Sequence, residues 1–173
     1  MSLQRAIRPA TLATLTMTAV GLAARALAGG VGLSVETAPA ALAEKGVALV
    51  VHTNNCGQAA FLPLEGTAEG LVGGRRRSLP LRLERTPEPG VYALAKQWPD
   101  QGAWVLRIST TRPHAATALV KLAAPASTGL ASGSNVRIAD VKLVYRRASA
   151  REVEACLRDV AGAVGALTTA GSR

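Results

Sequence analysis

Apolar positions along this chain recur with two different periods, and the change from one to the other divides it. From Val31 to Tyr145 they come in short runs or in alternation, broken roughly every ten residues by Gly, Pro or Asn, the spacing of short strands. Val31 to Val35 predicts a first strand, Thr37 to Lys45 a loop or brief helical turn ended by Gly46, and Val47 to Val51 a strand with no polar face. Gln58 to Leu64 and Gly66 to Val72 read as extended, and Gly73-Gly74 predicts a hairpin turn into a strand from Arg75 to Arg85. In that strand Leu79, Leu81 and Leu83 share one face and Ser78, Arg82 and Glu84 the other, while Pro80, which lacks a ladder donor, predicts a sheet edge. Val91 to Trp98, a type I turn at Pro99 to Gly102, and Ala103 to Thr110 predict a second hairpin, with Trp104, Leu106 and Ile108 opposite Arg107 and Ser109. Ala115 to Ala123 and Val136 to Tyr145 predict two more strands around a Ser- and Gly-rich loop from Pro125 to Asn135.

After Ser149 the period becomes helical. Val153, Cys156, Leu157, Val160, Val164 and Leu167 make one apolar stripe, and Ser149 with Glu152 reads as a capping box. Gly162 and Gly165 each weaken such a helix by roughly 1 kcal/mol relative to Ala, so it needs a surface to lie on. Strands joined by loops, followed by a single helix, predict an all-β antiparallel sandwich over residues 29 to 148 and a C-terminal helix over 149 to 173, packed on or near the sandwich.

The first 28 residues follow neither period. Arg5 and Arg8 precede an uncharged apolar stretch from Ala10 to Ala24, and Ala26-Leu27-Ala28 places small residues where a signal peptidase reads them. The segment is expected to be a signal peptide cleaved after Ala28, too short and too rich in Thr to stay as a membrane span. The expected location is therefore periplasmic or secreted, with no integral span after cleavage.

Export changes the meaning of the two cysteines. In an oxidising compartment Cys56 and Cys156 predict a disulfide, closing a loop of about 100 residues that the chain-entropy estimate values at roughly 4.7 kcal/mol. Composition adds two points. Aromatic residues are only 3% of the chain, so the core must be filled by Ala, Val and Leu. Of the net charge of +9, the three arginines of the leader carry three, and the remainder is a moderate basic excess that favours acidic partners without naming one.

A pattern carried by Gly90-Val91-Tyr92, Pro99 and Gly102-Ala103-Trp104, a strand opened by Gly-x-Tyr, a Pro/Gly turn and then Gly-x-Trp before alternating apolar residues, resembles the YtkA/FixH-like domains of exported bacterial proteins. The resemblance runs from about Glu65 to Thr111 and implies an immunoglobulin-like β-sandwich related in fold to copper-resistance domains. The methionine- or histidine-rich metal segments of that family are absent, since Met1 and Met17 both lie in the leader.

Candidate chemistry is sparse. His52, Cys56 and His114 are the soft ligands that could build a copper or zinc site, which needs three or four such groups to converge. The residues around Cys56 make no nucleophile loop, the carboxylates show no catalytic pairing, and the glycines from Gly70 to Gly74 lead into a strand instead of a helix, so no phosphate-binding loop is expected. The one concentrated charge is Arg75-Arg76-Arg77 at a hairpin tip, suited to grip an anionic surface, an acidic glycan or an envelope protein. Nucleic acid is not expected, since no aromatic residues interleave with the bases. The expectation is a non-enzymatic binding or structural protein of the cell envelope with no cofactor; the alternatives are a periplasmic copper-handling protein and an envelope enzyme of unknown class.

Overall fold

The structure, a computed structural model, describes residues 30–111, 114–123 and 136–170. The expected signal peptide and the loop from Pro125 to Asn135 lie outside the described residues. Among the described residues ten antiparallel strands form two five-stranded sheets. In the first, β1 (Val31–Thr37), β2 (Val47–Asn55), β7 (Val91–Ala95) and β6 (Glu84–Arg85) pair in that order, with β3 (Gln58–Ala59) on the end of β2. The second runs β10 (Ile138–Val144), β9 (Thr117–Leu122), β8 (Ala103–Thr110), β4 (Leu64–Val72) and β5 (Arg75–Leu81). A short helix, α1 (Ala40–Ala43), links β1 to β2, and α2 (Ala150–Ala170) closes the described chain.

The sheets face each other over one aliphatic core. Leu49 and Val51 of β2, Leu94 of β7, Leu106 and Ile108 of β8, and Val120 of β9 all point into it, as alternate positions of strands must. Two of the scarce rings, Tyr92 and Trp104, are buried in it and tied by their polar atoms. Tyr92 donates its hydroxyl proton to the Leu62 carbonyl at 2.6 Å and meets Phe61 edge-on at 5.5 Å, while the Trp104 indole donates to the Gln101 carbonyl at 2.9 Å. Gly70 lets Trp104 lie flat on β4: a Cβ there would fall 2.4 Å from a ring carbon. Gly90, at φ +75°, carries the chain into β7, and a Cβ there would strike the Thr53 carbonyl oxygen at 2.4 Å.

Two expected connections are corrected. The segments on either side of Pro99 to Gly102 do not form a hairpin: β7 belongs to the first sheet and β8 to the second, so the turn crosses between layers. Both strands carry a strongly apolar face, Tyr92 and Leu94 on one and Trp104, Leu106 and Ile108 on the other, and those faces are buried against each other across the sandwich. The strand expected from Arg75 to Arg85 is likewise divided. Its first part is the edge strand β5, as Pro80 predicts, and after Leu81 the chain changes sheet to become β6 beside β7.

The helix lies on the outer face of the second sheet. Val153, Cys156, Leu157 and Val160 pack against Ala103 and Val105 of β8 and Leu119 of β9, so these two strands are covered on both faces. The capping box forms as expected, with Ser149 and Glu152 exchanging backbone and side-chain hydrogen bonds at 2.9 to 3.3 Å. Glu152 also accepts from both terminal nitrogens of Arg146, at 2.7 and 3.0 Å. That bond to Arg146, and then the Ser149 N–H, hold the Glu152 carboxyl well below the usual carboxylate range. A depressed folded-state pKa stabilises the fold above the unfolded value, near 4.5, and the contribution is lost as the pH falls below it. Glu152→Gln should lower the urea midpoint at pH 7 and flatten its decline between pH 5 and pH 3, measured by circular dichroism; an unchanged acid limb would argue against this role.

Candidate anion-binding groove

The helix divides its charges between two flanks. Glu152 and Asp159, seven residues apart, lie toward β9 and β10, where Glu152 meets Arg146 and Lys142 and Asp159 meets Lys121 at 3.0 Å. Lys121 also faces Asp140 at 3.3 Å, and the hydrogen bond to Asp159 raises its pKa against the opposing effect of burial. That flank is neutralised.

The other flank is different. Arg151, Glu154 and Arg158 recur at intervals of three and four residues and so share one stripe, which lies beside Arg76 of the edge strand β5. Arg76 donates to Glu154 at 2.6 Å and lies 3.6 Å from Glu69, itself held by the Ser78 hydroxyl at 2.9 Å. Arg76, Ala150, Arg151, Glu154 and Arg158 line an open groove of about 390 Å³ between strand and helix. Arg75 and Arg77 alternate with Arg76 along β5, so these two exposed residues share the face of Leu79 and point away from the groove. Among the described residues Arg75, Arg77, Arg151 and Arg158 have no carboxylate partner. The groove therefore carries a small net positive charge, with Arg76 fixed in place by two glutamates and the Arg151 and Arg158 guanidinium groups open to solvent.

Of the expected arginine run, Arg76 is thus joined to a second cluster that the linear sequence left unconnected, and Arg75 and Arg77 are not. The spacing of Arg151 and Arg158 shows that they share a helix face, but which strand the helix lies beside is set by its apolar stripe, eighty residues from β5 in sequence.

The cysteines are not joined. Cys56 is exposed in the turn between β2 and β3, at φ +49°, and Cys156 is buried under α2 on the other sheet, where burial raises its pKa; both are free thiols. The helix stripe that Cys156 belongs to needs it facing the second sheet, whereas Cys56 ends a strand of the first, so the expected crosslink is replaced by packing. The metal candidates are also dispersed. His52 hydrogen-bonds Glu36 at 2.8 Å across β1 and β2, Cys56 lies beyond the end of β2, and His114 stands in the connection between β8 and β9, its backbone carbonyl accepting from Thr110 at 2.9 Å. Among the described residues no three His, Cys, Asp or Glu side chains are grouped to hold an ion. No described helix is long and apolar enough to cross a membrane.

No protein-family model, curated protein or solved structure matches the chain. In the folded protein a maleimide probe should label Cys56 within minutes and Cys156 only after denaturation, read by mass spectrometry of the digested chain. Failure of either thiol to react after denaturation without reductant would restore the disulfide.

Proposed function

We propose that this chain is an exported, non-enzymatic protein of immunoglobulin-like type that works in the cell envelope by binding an anionic partner along the groove between β5 and α2. The export reading rests on the three-part character of residues 1 to 28, and the fold type on the two-sheet sandwich together with the resemblance to YtkA/FixH-like domains. The observation that carries the binding role is the convergence of Arg151 and Arg158 with Arg76, residues distant in sequence, with the two helix guanidinium groups unpaired among the described residues. Arginine in this arrangement gives planar, forked donors for carboxylate, sulfate or phosphate groups. An open groove walled by two rigid elements suits a chain or surface of repeated negative charge better than an enclosed small molecule. Edge protection accounts for charge on β5 but not for the matching charge on the helix.

Heparin, as a soluble anionic glycan, is the direct probe. At about 0.1 M salt the combined variant Arg151→Gln, Arg158→Gln should bind it about fivefold more weakly than the parent, since each exposed charge contributes on the order of 0.5 kcal/mol. Arg76 is left in place because it holds Glu154. Equal binding by the parent and the double variant, or an equal loss in the net-charge control Arg75→Gln, Arg77→Gln on the opposite face of β5, would refute the groove.

A further inference from the structure

Where the helix cover ends, the outer face of the second sheet changes from apolar to polar, and a small cleft opens there. Along β8 the outward positions are Ala103 and Val105 beneath α2, then Arg107 and Ser109 beyond its start. Arg107, Ser109, Thr67, Glu65 and Arg147 line a cleft of about 60 Å³, several times the roughly 10–15 Å³ that one water requires. It is separate from the groove: the two share no lining residue.

The hydrogen bonds determine what each group offers the cleft. Arg107 is half-buried in the middle strand of its sheet and uses one of its five N–H groups, donating from Nε to the Thr67 hydroxyl oxygen at 3.2 Å. Among the described residues its two terminal nitrogens have no acceptor. Because the Thr67 oxygen receives that bond, its own proton is left to point elsewhere, and it reaches no described acceptor. Ser109 is the reverse case. Thr117 gives its single hydroxyl proton to the Arg146 carbonyl at 2.8 Å, so in the 3.0 Å contact between the two hydroxyls Ser109 must be the donor, and its oxygen presents only lone pairs to other groups. Glu65 is an acceptor as well. It meets Arg147 at 3.5 Å, but with side chains 64% and 72% exposed the two are loosely held.

The cleft thus combines a forked cationic donor and a hydroxyl donor with two acceptors, and Arg147, loosely paired with Glu65, adds a second cation to its lining. A fully deprotonated oxyanion would satisfy the donors but set its lone pairs against those of Glu65 and Ser109, whereas an oxyanion that keeps a proton can donate it to Glu65 or Ser109 while accepting from Arg107 and Thr67. We propose that this cleft binds a free, protonated tetrahedral oxyanion of the hydrogen phosphate class in preference to sulfate. Arg107 supplies the charge and the fork, Thr67 a further donor, and Glu65 the discrimination. The site does not depend on the groove reading, since no variant at the groove touches it.

Calorimetric titration of the full chain with inorganic phosphate and, separately, with sulfate at pH 7 tests this. Phosphate should bind one to one and at least about tenfold more tightly than sulfate. Arg107→Lys, which keeps the charge and loses the fork, should weaken phosphate at least about tenfold. Glu65→Gln, at an exposed position where folding is not at risk, should bring the two anions to within about threefold by strengthening sulfate. Arg151→Gln with Arg158→Gln should leave both affinities unchanged. Sulfate binding as tightly as phosphate in the parent, phosphate binding that survives Arg107→Lys, or selectivity that survives Glu65→Gln would each overturn the proposal; loss of phosphate in the Arg151/Arg158 variant would place the ion in the groove and overturn it equally.

Discussion

The structure depends on the burial of β8 and β9 on both of their faces. In an ordinary two-layer sandwich the outer face of each sheet meets water and reads as polar. Here Ala103, Val105 and Leu119 face outward, and they need an apolar cover. The C-terminal helix supplies it with Val153, Cys156, Leu157 and Val160, and its glycines leave it too weak to form without that surface. Sheet and helix each complete the other.

The orientation of the helix then follows from charge. Its apolar stripe sets which side faces the sheet, and Glu152 and Asp159 can lie only toward the cations of β9 and β10, which turns Arg151 and Arg158 toward the arginine edge strand. The groove is a by-product of that constraint as much as of the arginines themselves. So is the cleft at Arg107: the helix begins at Ala150, one turn short of covering the outward residues at the end of β8, and a guanidinium occupies the place where another valine would otherwise need cover.

Much of the architecture was legible locally. The glycine pair at Gly73-Gly74, the proline at position 80 and the capping box at Ser149 each act over a few residues, and each forms the element it predicts, whereas the alternation around Leu79 to Leu83 holds only as far as Leu81. The assignment of strands to sheets was not legible, because β7 and β8 would show the same alternation whether they paired or faced each other across the core. Val105 shows the same limit: its side chain sits between the inward Trp104 and Leu106, and only the docked helix explains an apolar residue on the outward face. The disulfide expectation failed for a related reason, since the thiol count and the expected compartment favour a bond while Cys156 is held in place by the helix stripe. For the groove, Arg76 was visible within a run; Arg151, Glu154 and Arg158 required the docking of an element far along the chain.

The helix on its sheet is accordingly the claim that most needs a direct test. Amide hydrogen exchange of the intact chain, followed by mass spectrometry at pH 7, should show Val153 to Val160 protected to the same degree as β8, because one apolar layer holds both. Exchange of that segment at the rate of an unstructured peptide, with β8 still protected, would contradict the account.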